Sequence, residues 1–432
     1  MLASLGLSDV MELFSEVPED ARPSGAFRLP GPLSEMDLLA HMRDIAAENV
    51  GGSHTVCLAG GGVYDHYSPA VVDYVIQRGE FLTAYTSYQP EISQGFLAAM
   101  YEFQTLVCEL YGLDVANASL YDVGTGLAEA ALLAYEATGR DRIVLAGAVN
   151  PAYVACLRTV LGSEPSGQVV AVPQTDGTTD LGGLAKAVDD TVACVVVQQP
   201  SFLGTIEDLH AVVSVAKAAG ALTVVCADPI AMGILESPGA CGAEIAVGEG
   251  QALGLPMSYG GPLLGLLATT RDLVRALPGR VVGKTVDSSD RPGYVLTLQT
   301  REQHIRRERA SSNICTNQGL CALAATVYMC VMGASGLRRA AALCVVQSHK
   351  LRDLIASTPL ETLNEAPFFQ EFAVRSPIPV PEFQRRLAAK GFVVGGDASE
   401  ATGVENTLLL CATEKRTETE LEAFAAAVRE VL

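Results

Sequence analysis

Phe96, Leu97, Met100, Phe103, Val107 and Leu110 recur at the three-and-four spacing of one helical face, which predicts a helix over Gln94 to Tyr111. Ser93 stands where it can cap the start, and Gly112 where it can end the last turn. After this helix the pattern alternates. Helices are predicted over Gly126 to Glu136, Ala152 to Leu161 and Leu209 to Ala219. Between and after them lie short apolar runs: Arg142 to Ala146, Gln168 to Val172, Thr191 to Gln198, Leu222 to Ala227, Glu244 to Val247 and Leu263 to Thr269. Runs apolar on both faces and separated by helices imply an α/β domain with a mostly parallel sheet covered on both sides. In such sheets ligands bind beyond the carboxyl ends of the strands.

The flanks read differently. Residues 1–60 form an arm with short helices, in which Leu38, Leu39, Met42 and Ile45 mark a helix over Ser34 to Ala47. Residues 61–330 make the large α/β domain. Residues 331–432 make a smaller α+β domain, with strands over Phe368 to Val374, Gly391 to Val394 and Thr407 to Cys411 and a helix over Pro381 to Lys390. Its closing helix carries Leu421, Phe424, Val428 and Val431 on one face, behind a Thr417–Glu420 capping box.

Composition narrows the function. A net charge of -20 argues against nucleic acid and anionic membrane surfaces, both of which need a positive field. The eleven cysteines are odd in number, form no C-x-x-C pair and lie mostly in apolar stretches, as free thiols of a reducing compartment do. The six histidines show no metal-ligand spacing, so no metal is expected. With no signal-like start and no uninterrupted apolar run of membrane-spanning length, the expected place is the cytoplasm.

Several short motifs fail. Gly283-Lys284-Thr285 resembles the end of a phosphate loop, but Pro278 stands where the upstream glycine belongs. Others survive. Asp228 follows the apolar run Leu222 to Ala227, at the ligand-facing edge of the sheet. In enzymes using pyridoxal phosphate (PLP), a carboxylate there pairs with the pyridinium nitrogen; an end-of-strand turn is the plainer alternative. A Schiff-base lysine belongs at the next strand tip. That stretch, Gly248-Glu249-Gly250-Gln251-Ala252-Leu253-Gly254, has none, and the next lysine is Lys284. Gly124-Thr125-Gly126 opens a helix and reads either as an anion cradle or as an ordinary N-terminal turn.

Five of the thirteen tyrosines fall between 64 and 88, in turn-like segments that also carry His66, Gln89 and Glu91. Such density favours a binding surface or a subunit interface over scattered surface tyrosines. Arg301, Arg306, Arg307 and Arg309 precede the polar run Ser311 to Gln318. They suit an interface or a phosphate as well as a solvated helix face. Cys315 lies in that run with no base evident beside it.

Five blocks together resemble one family. They are Tyr64 to Tyr67, Phe81 to Gly95, Asn117 to Glu129, Gly250 to Gly261 and Leu298 to Gln318, and they are similar, in order, to the α subunit (subunit 1) of the two-subunit glycine decarboxylase P protein of the glycine cleavage system. The resemblance implies an aspartate-aminotransferase-like (PLP fold type I) large domain plus a smaller C-terminal α+β domain. It implies a β subunit that carries the aldimine lysine and so holds PLP covalently, in an α2β2 assembly. It further implies glycine as substrate, lipoyl H protein as acceptor of the aminomethyl group, and a functional link to the T and L proteins. On this reading Tyr64, His66, Tyr85, Tyr88, Gln89 and Glu91, with Asn313, Cys315, Thr316, Asn317 and Gln318, line or support a site shared with the β subunit. Thr125 and Asp228 are vestigial cofactor contacts, and no catalytic residue is assigned to this chain. The run Tyr121 to Gly126 departs from the family's Tyr-Asp-Gly-Ala-Thr-Ala-like pattern, so the local turn is expected to differ. The competing readings are a self-sufficient PLP enzyme using a distant lysine such as Lys284, and a non-catalytic scaffold or regulator that keeps the fold.

Overall fold

The structure is a computed structural model that describes every residue except 24, 26, 51–54, 83–86, 163–167, 311 and 364. The chain divides into two compact units, Met1–His54 and Thr55–Leu432. The first holds three short 3-10 turns and the helix Glu35–Ala47, capped by Ser34, whose hydroxyl accepts from the Asp37 N–H. The apolar positions that predicted this helix, Leu38, Leu39, Met42 and Ile45, are not covered within the unit.

The second unit is built on a seven-stranded sheet. Its spatial order is Val115–Ala116, Gly265–Thr269, Ile245–Glu249, Leu222–Ala227, Val192–Gln199, Arg142–Ala146 and Gln168–Val172. The strands from Ile245–Glu249 to Gln168–Val172 pair in parallel, and the first two close that edge antiparallel. Every residue of Val192–Gln199 is buried. Successive side chains of a strand point to opposite faces. Val195 and Val197 therefore join the core layer of helices Gln94–Tyr111 and Leu209–Ala218, while Cys194 and Val196 join that of helices Val123–Thr138 and Pro151–Leu161.

Three differences from the sequence reading matter. Helix Val123–Thr138 starts three residues earlier than its apolar pattern does, because Asp122 caps it. An antiparallel hairpin, Val281–Val286 with Pro292–Thr297, fills a stretch to which the sequence assigned no element, and exposed Lys284 lies on it rather than at a tip of the parallel sheet. A long helix, Gly319–Ile355, was not predicted at all. By length and composition it could cross a membrane, unlike any run the sequence reading identified. It bends at Gly333, whose φ of 59° lies in the left-handed region, and its segment Cys321 to Met329 is packed into the core.

That helix also blurs the boundary placed at 330/331. Its first half belongs to the sheet's core and Leu351 and Ile355 to the C-terminal one, so one element serves both. The C-terminal part is a three-stranded antiparallel sheet, Glu361–Thr362, Glu371–Arg375 and Thr407–Cys411, under helices Val380–Ala388 and Glu418–Val431. The Thr417–Glu420 capping box forms as expected. Val56–Leu58, assigned by the sequence to the arm, pairs in parallel with Phe392–Val394 and so belongs with the C-terminal elements.

Candidate functional site

The carboxyl ends of the parallel strands converge where the sequence places Asp228. Its carboxylate is already committed to its own chain. Oδ1 accepts from the N–H groups of Ile230 (2.8 Å) and Ala231 (3.0 Å), and Oδ2 accepts from Gln370 Nε2 (2.9 Å). Burial raises the Asp228 pKa, and the His66 charge and the backbone donors counter that only partly.

The start of helix Val123–Thr138 is taken as well. Thr125 donates its N–H to Asp122 Oδ1 (2.8 Å), and Val123 donates to Glu249 Oε2 (3.3 Å). The positive helix end that would receive an anion is thus met by two carboxylates of this chain. The other Glu249 oxygen accepts from Leu264 N (2.8 Å) and Gln251 N (3.1 Å), and burial pushes this carboxyl up to about 7. Thr125 Oγ1 is buried with no hydrogen-bond partner among the described residues.

Glu371, from the C-terminal sheet, closes the third side. It accepts from the Tyr64 hydroxyl (2.5 Å) and from Gly61 N (2.8 Å), and burial places its pKa at about 7. Tyr64, Tyr153, Asp228, Glu249, Gln370 and Glu371 line a cavity of about 30 Å³, room for about one or two water molecules. At the strand tip there is no space for a longer side chain on either side of Glu249. A Cβ on Gly248 would overlap the Tyr111 hydroxyl, and one on Gly250 would reach the Leu264 side chain at 2.7 Å.

PLP does not fit these residues. The amine is missing, the helix end is capped by carboxylates, the aspartate is bonded to Gln370, and the cavity is of water size. Thr125 and Asp228 sit where the sequence placed them, but Asp228 is spoken for.

The tyrosine-rich segments divide. Tyr64 is buried, and so is the His66 ring, whose Nδ1 lies 2.7 Å from Glu414 Oε2. Tyr88 is 64% exposed, and Gln89 and Glu91 are exposed beside it. Tyr85 lies outside the described residues.

A second centre, missed by the sequence reading, takes in Tyr88. Arg280 is 6% exposed. It donates to Asn317 Oδ1 (3.1 Å), to the Cys315 carbonyl (2.8 Å) and to the Tyr88 hydroxyl (3.3 Å), with its guanidinium over the Tyr88 ring. The Cys315 and Thr316 N–H groups donate to the Tyr121 hydroxyl, Asn317 Nδ2 to the Ala118 carbonyl, and the Gln318 N–H to Ser119 Oγ. Residues 315–318 are therefore held in place, with Asn313 and Cys315 exposed in the same segment. A single arginine after Pro278-Gly279 carries no pattern that would have marked it.

The arginine cluster also splits. Arg301 points inward and holds the Leu277 and Gly279 carbonyls, whereas Arg306, Arg307 and Arg309 are exposed.

The fold and the small cavity at its strand ends define the class: a chain of PLP fold type I with no lysine at the strand tip. Low-identity likenesses show that fold, among them a NifS-like protein (TM-score 0.65, 16% identity, covering 87% of this chain and 99% of that one) and the sphingosine-1-phosphate lyase of Burkholderia pseudomallei (0.67, 16%, 96% and 94%). The family model described as glycine cleavage system P-protein matches residues 1–428. The chain is 45% identical to the probable glycine dehydrogenase (decarboxylating) subunit 1 of Desulforamulus reducens, over 99% of this chain and 96% of that one. To the protein of the same description from Moorella thermoacetica it is 46% identical, over 100% and 97%. A crystal structure of glycine decarboxylase (P-protein) of the glycine cleavage system, in inhibitor-bound form, matches with a TM-score of 0.91 at 45% identity, covering 100% of this chain and 97% of that chain. The chain belongs to the glycine cleavage system P-protein family.

Proposed function

We propose that this chain is the α subunit of a two-subunit glycine decarboxylase, the subunit without the aldimine lysine. With a β subunit it takes glycine, releases CO2 and passes the aminomethyl group to the lipoyl arm of H protein. The observation that carries this reading is the crowding at the strand ends: Glu249, Glu371 and Tyr64 line a cavity of only about 30 Å³ there, and the strand tip carries no lysine. PLP, the electron sink of the reaction, is then anchored by the β subunit's lysine.

This chain supplies a rigid wall and two ordered surface segments. Arg280 fixes Tyr88 and the Cys315–Asn317 loop in one hydrogen-bonded unit, so that Asn313, Cys315, Gln89 and Glu91 are presented to a partner at little entropic cost on binding. A cytoplasmic setting belongs to the same reading, argued from the odd number of cysteines, the lack of a C-x-x-C pair and their apolar surroundings.

Glycine–bicarbonate exchange tests the assignment. The purified chain is expected to be inactive by itself and active once combined with a lysine-bearing β partner and lipoyl H protein. Full exchange by the chain alone overturns the reading, and so does reconstitution that proceeds equally well without it.

A further inference from the structure

Three side chains far apart in sequence meet behind Tyr64. His66 and Glu414 are 348 residues apart, and Cys344 and Glu414 are 70 apart. The ligand atoms of all three lie within 4.8 Å of one another. His66 Nδ1 is 2.7 Å and Cys344 Sγ 3.3 Å from the same oxygen, Glu414 Oε2. The set is enclosed: the His66 and Glu414 side chains are 2% and 11% exposed, and Cys344 is fully buried.

Backbone groups hold these donors in place. The Tyr67 N–H donates to Glu414 Oε1 (2.8 Å), which turns the other oxygen toward the cluster. The Glu414 N–H donates to Cys344 Sγ (3.3 Å), a contact that stabilises sulfur as a thiolate. On the ring's other side, His66 Nε2 is buried without a hydrogen-bond partner among the described residues.

We propose that His66, Cys344 and Glu414 form a binding site for a thiophilic divalent cation of the zinc class, with water in the fourth position. One imidazole, one thiolate and one carboxylate are ligands such an ion accepts, and their two negative charges cancel its two positive ones, as burial requires. Bonds of about 2.0–2.3 Å place tetrahedral ligand atoms about 3.3–3.8 Å apart. The Cys344–Glu414 separation already meets this, and the His66–Glu414 pair needs to open by less than about 1 Å. Without the ion the groups satisfy one another, the Cys344 thiol donating to Glu414. Binding replaces the S–H bond with an S–metal bond and releases that proton to solvent, while the neutral imidazole carries its own proton on Nε2 and gives the Nδ1 lone pair to the ion. Burial and the Glu414 charge hold the thiol protonated until the ion arrives.

Cobalt(II) titration of the chelator-stripped full chain, without oxygen, tests the proposal directly. Thiolate-to-cobalt charge-transfer absorption is expected to saturate at one equivalent, with zinc displacing cobalt and a proton released on binding. Cys344→Ser should abolish the band, and His66→Gln should weaken binding at least about tenfold. Cys315→Ser and Cys330→Ser, which remove exposed thiols, should leave it intact. The surface group His210, Glu236 and Cys241 offers the competing donor set. A band that survives Cys344→Ser and disappears with Cys241→Ser overturns the proposal, as does the absence of any band. If Cys344→Ser does not fold by circular dichroism, Cys344→Ala and Glu414→Gln provide the same comparison.

Discussion

Tyr64 donates its hydroxyl to Glu371 across 2.5 Å, joining the segment after the first strand to the C-terminal sheet through a buried carboxyl. Removing the hydroxyl leaves that carboxyl short of a donor in an enclosed space, where an unmet polar group costs about 1–3 kcal/mol. Tyr64→Phe is expected to lose that much in urea unfolding. A variant as stable as the parent would show that the contact contributes nothing.

The same carboxyl sets a pH dependence. Glu371 and Glu249 have ordinary values of 4.5 and are pushed by burial to about 7 in the folded chain. Between those values the folded chain binds more protons than the unfolded one, so stability falls as pH rises. The contribution is fully present below about pH 4.5 and is lost as pH passes about 7. Each group accounts for a loss on the order of 3 kcal/mol. Glu371→Gln should flatten the decline measured by denaturant unfolding at a series of pH values. An unchanged slope would exclude Glu371 as its source.

Arg280 organises the loop that carries Cys315 and Asn317. Lysine keeps the charge but not the planar fork that reaches Tyr88, the Cys315 carbonyl and Asn317 together. In the reconstituted enzyme, Arg280→Lys should lower exchange activity by about tenfold or more, the equivalent of one lost charged hydrogen bond. Faster amide exchange over 312–318 should accompany it. Full activity with a loosened loop would separate the loop from function.

Restoring an amine to the strand tip should not restore a cofactor site. Glu249 accepts from Val123, Leu264 and Gln251, so Glu249→Lys removes three backbone partners and adds a charge to a cavity of water size. The expected result is a destabilised chain that forms no pyridoxyl-lysine after incubation with PLP and borohydride. Appearance of the 249 adduct would mean the cavity opens readily.

What the sequence reading caught and missed follows from what each residue reports locally. Val192–Gln199 was legible because its side chains are apolar on both faces, and Asp228 because a polar residue ending such a run stands at the sheet's edge. The closure of the cavity was not legible. Glu371 reaches it from a different sheet, and nothing near it in sequence says that Tyr64 is its donor. The helix Gly319–Ile355 escaped because alanine, cysteine and glycine crowd its first half and blur its apolar face, and Gly333 breaks the period. Arg280 and the His66–Cys344–Glu414 set share one reason: their meaning lies in neighbours that only the fold supplies.

Borohydride trapping of the assembled enzyme, followed by peptide mapping of both subunits, tests the division of labour most directly. The pyridoxyl-lysine is predicted on the β subunit alone, with every lysine of this chain unmodified. A reduced adduct on this chain, at Lys284 or elsewhere, would contradict the division of labour and the role built on it.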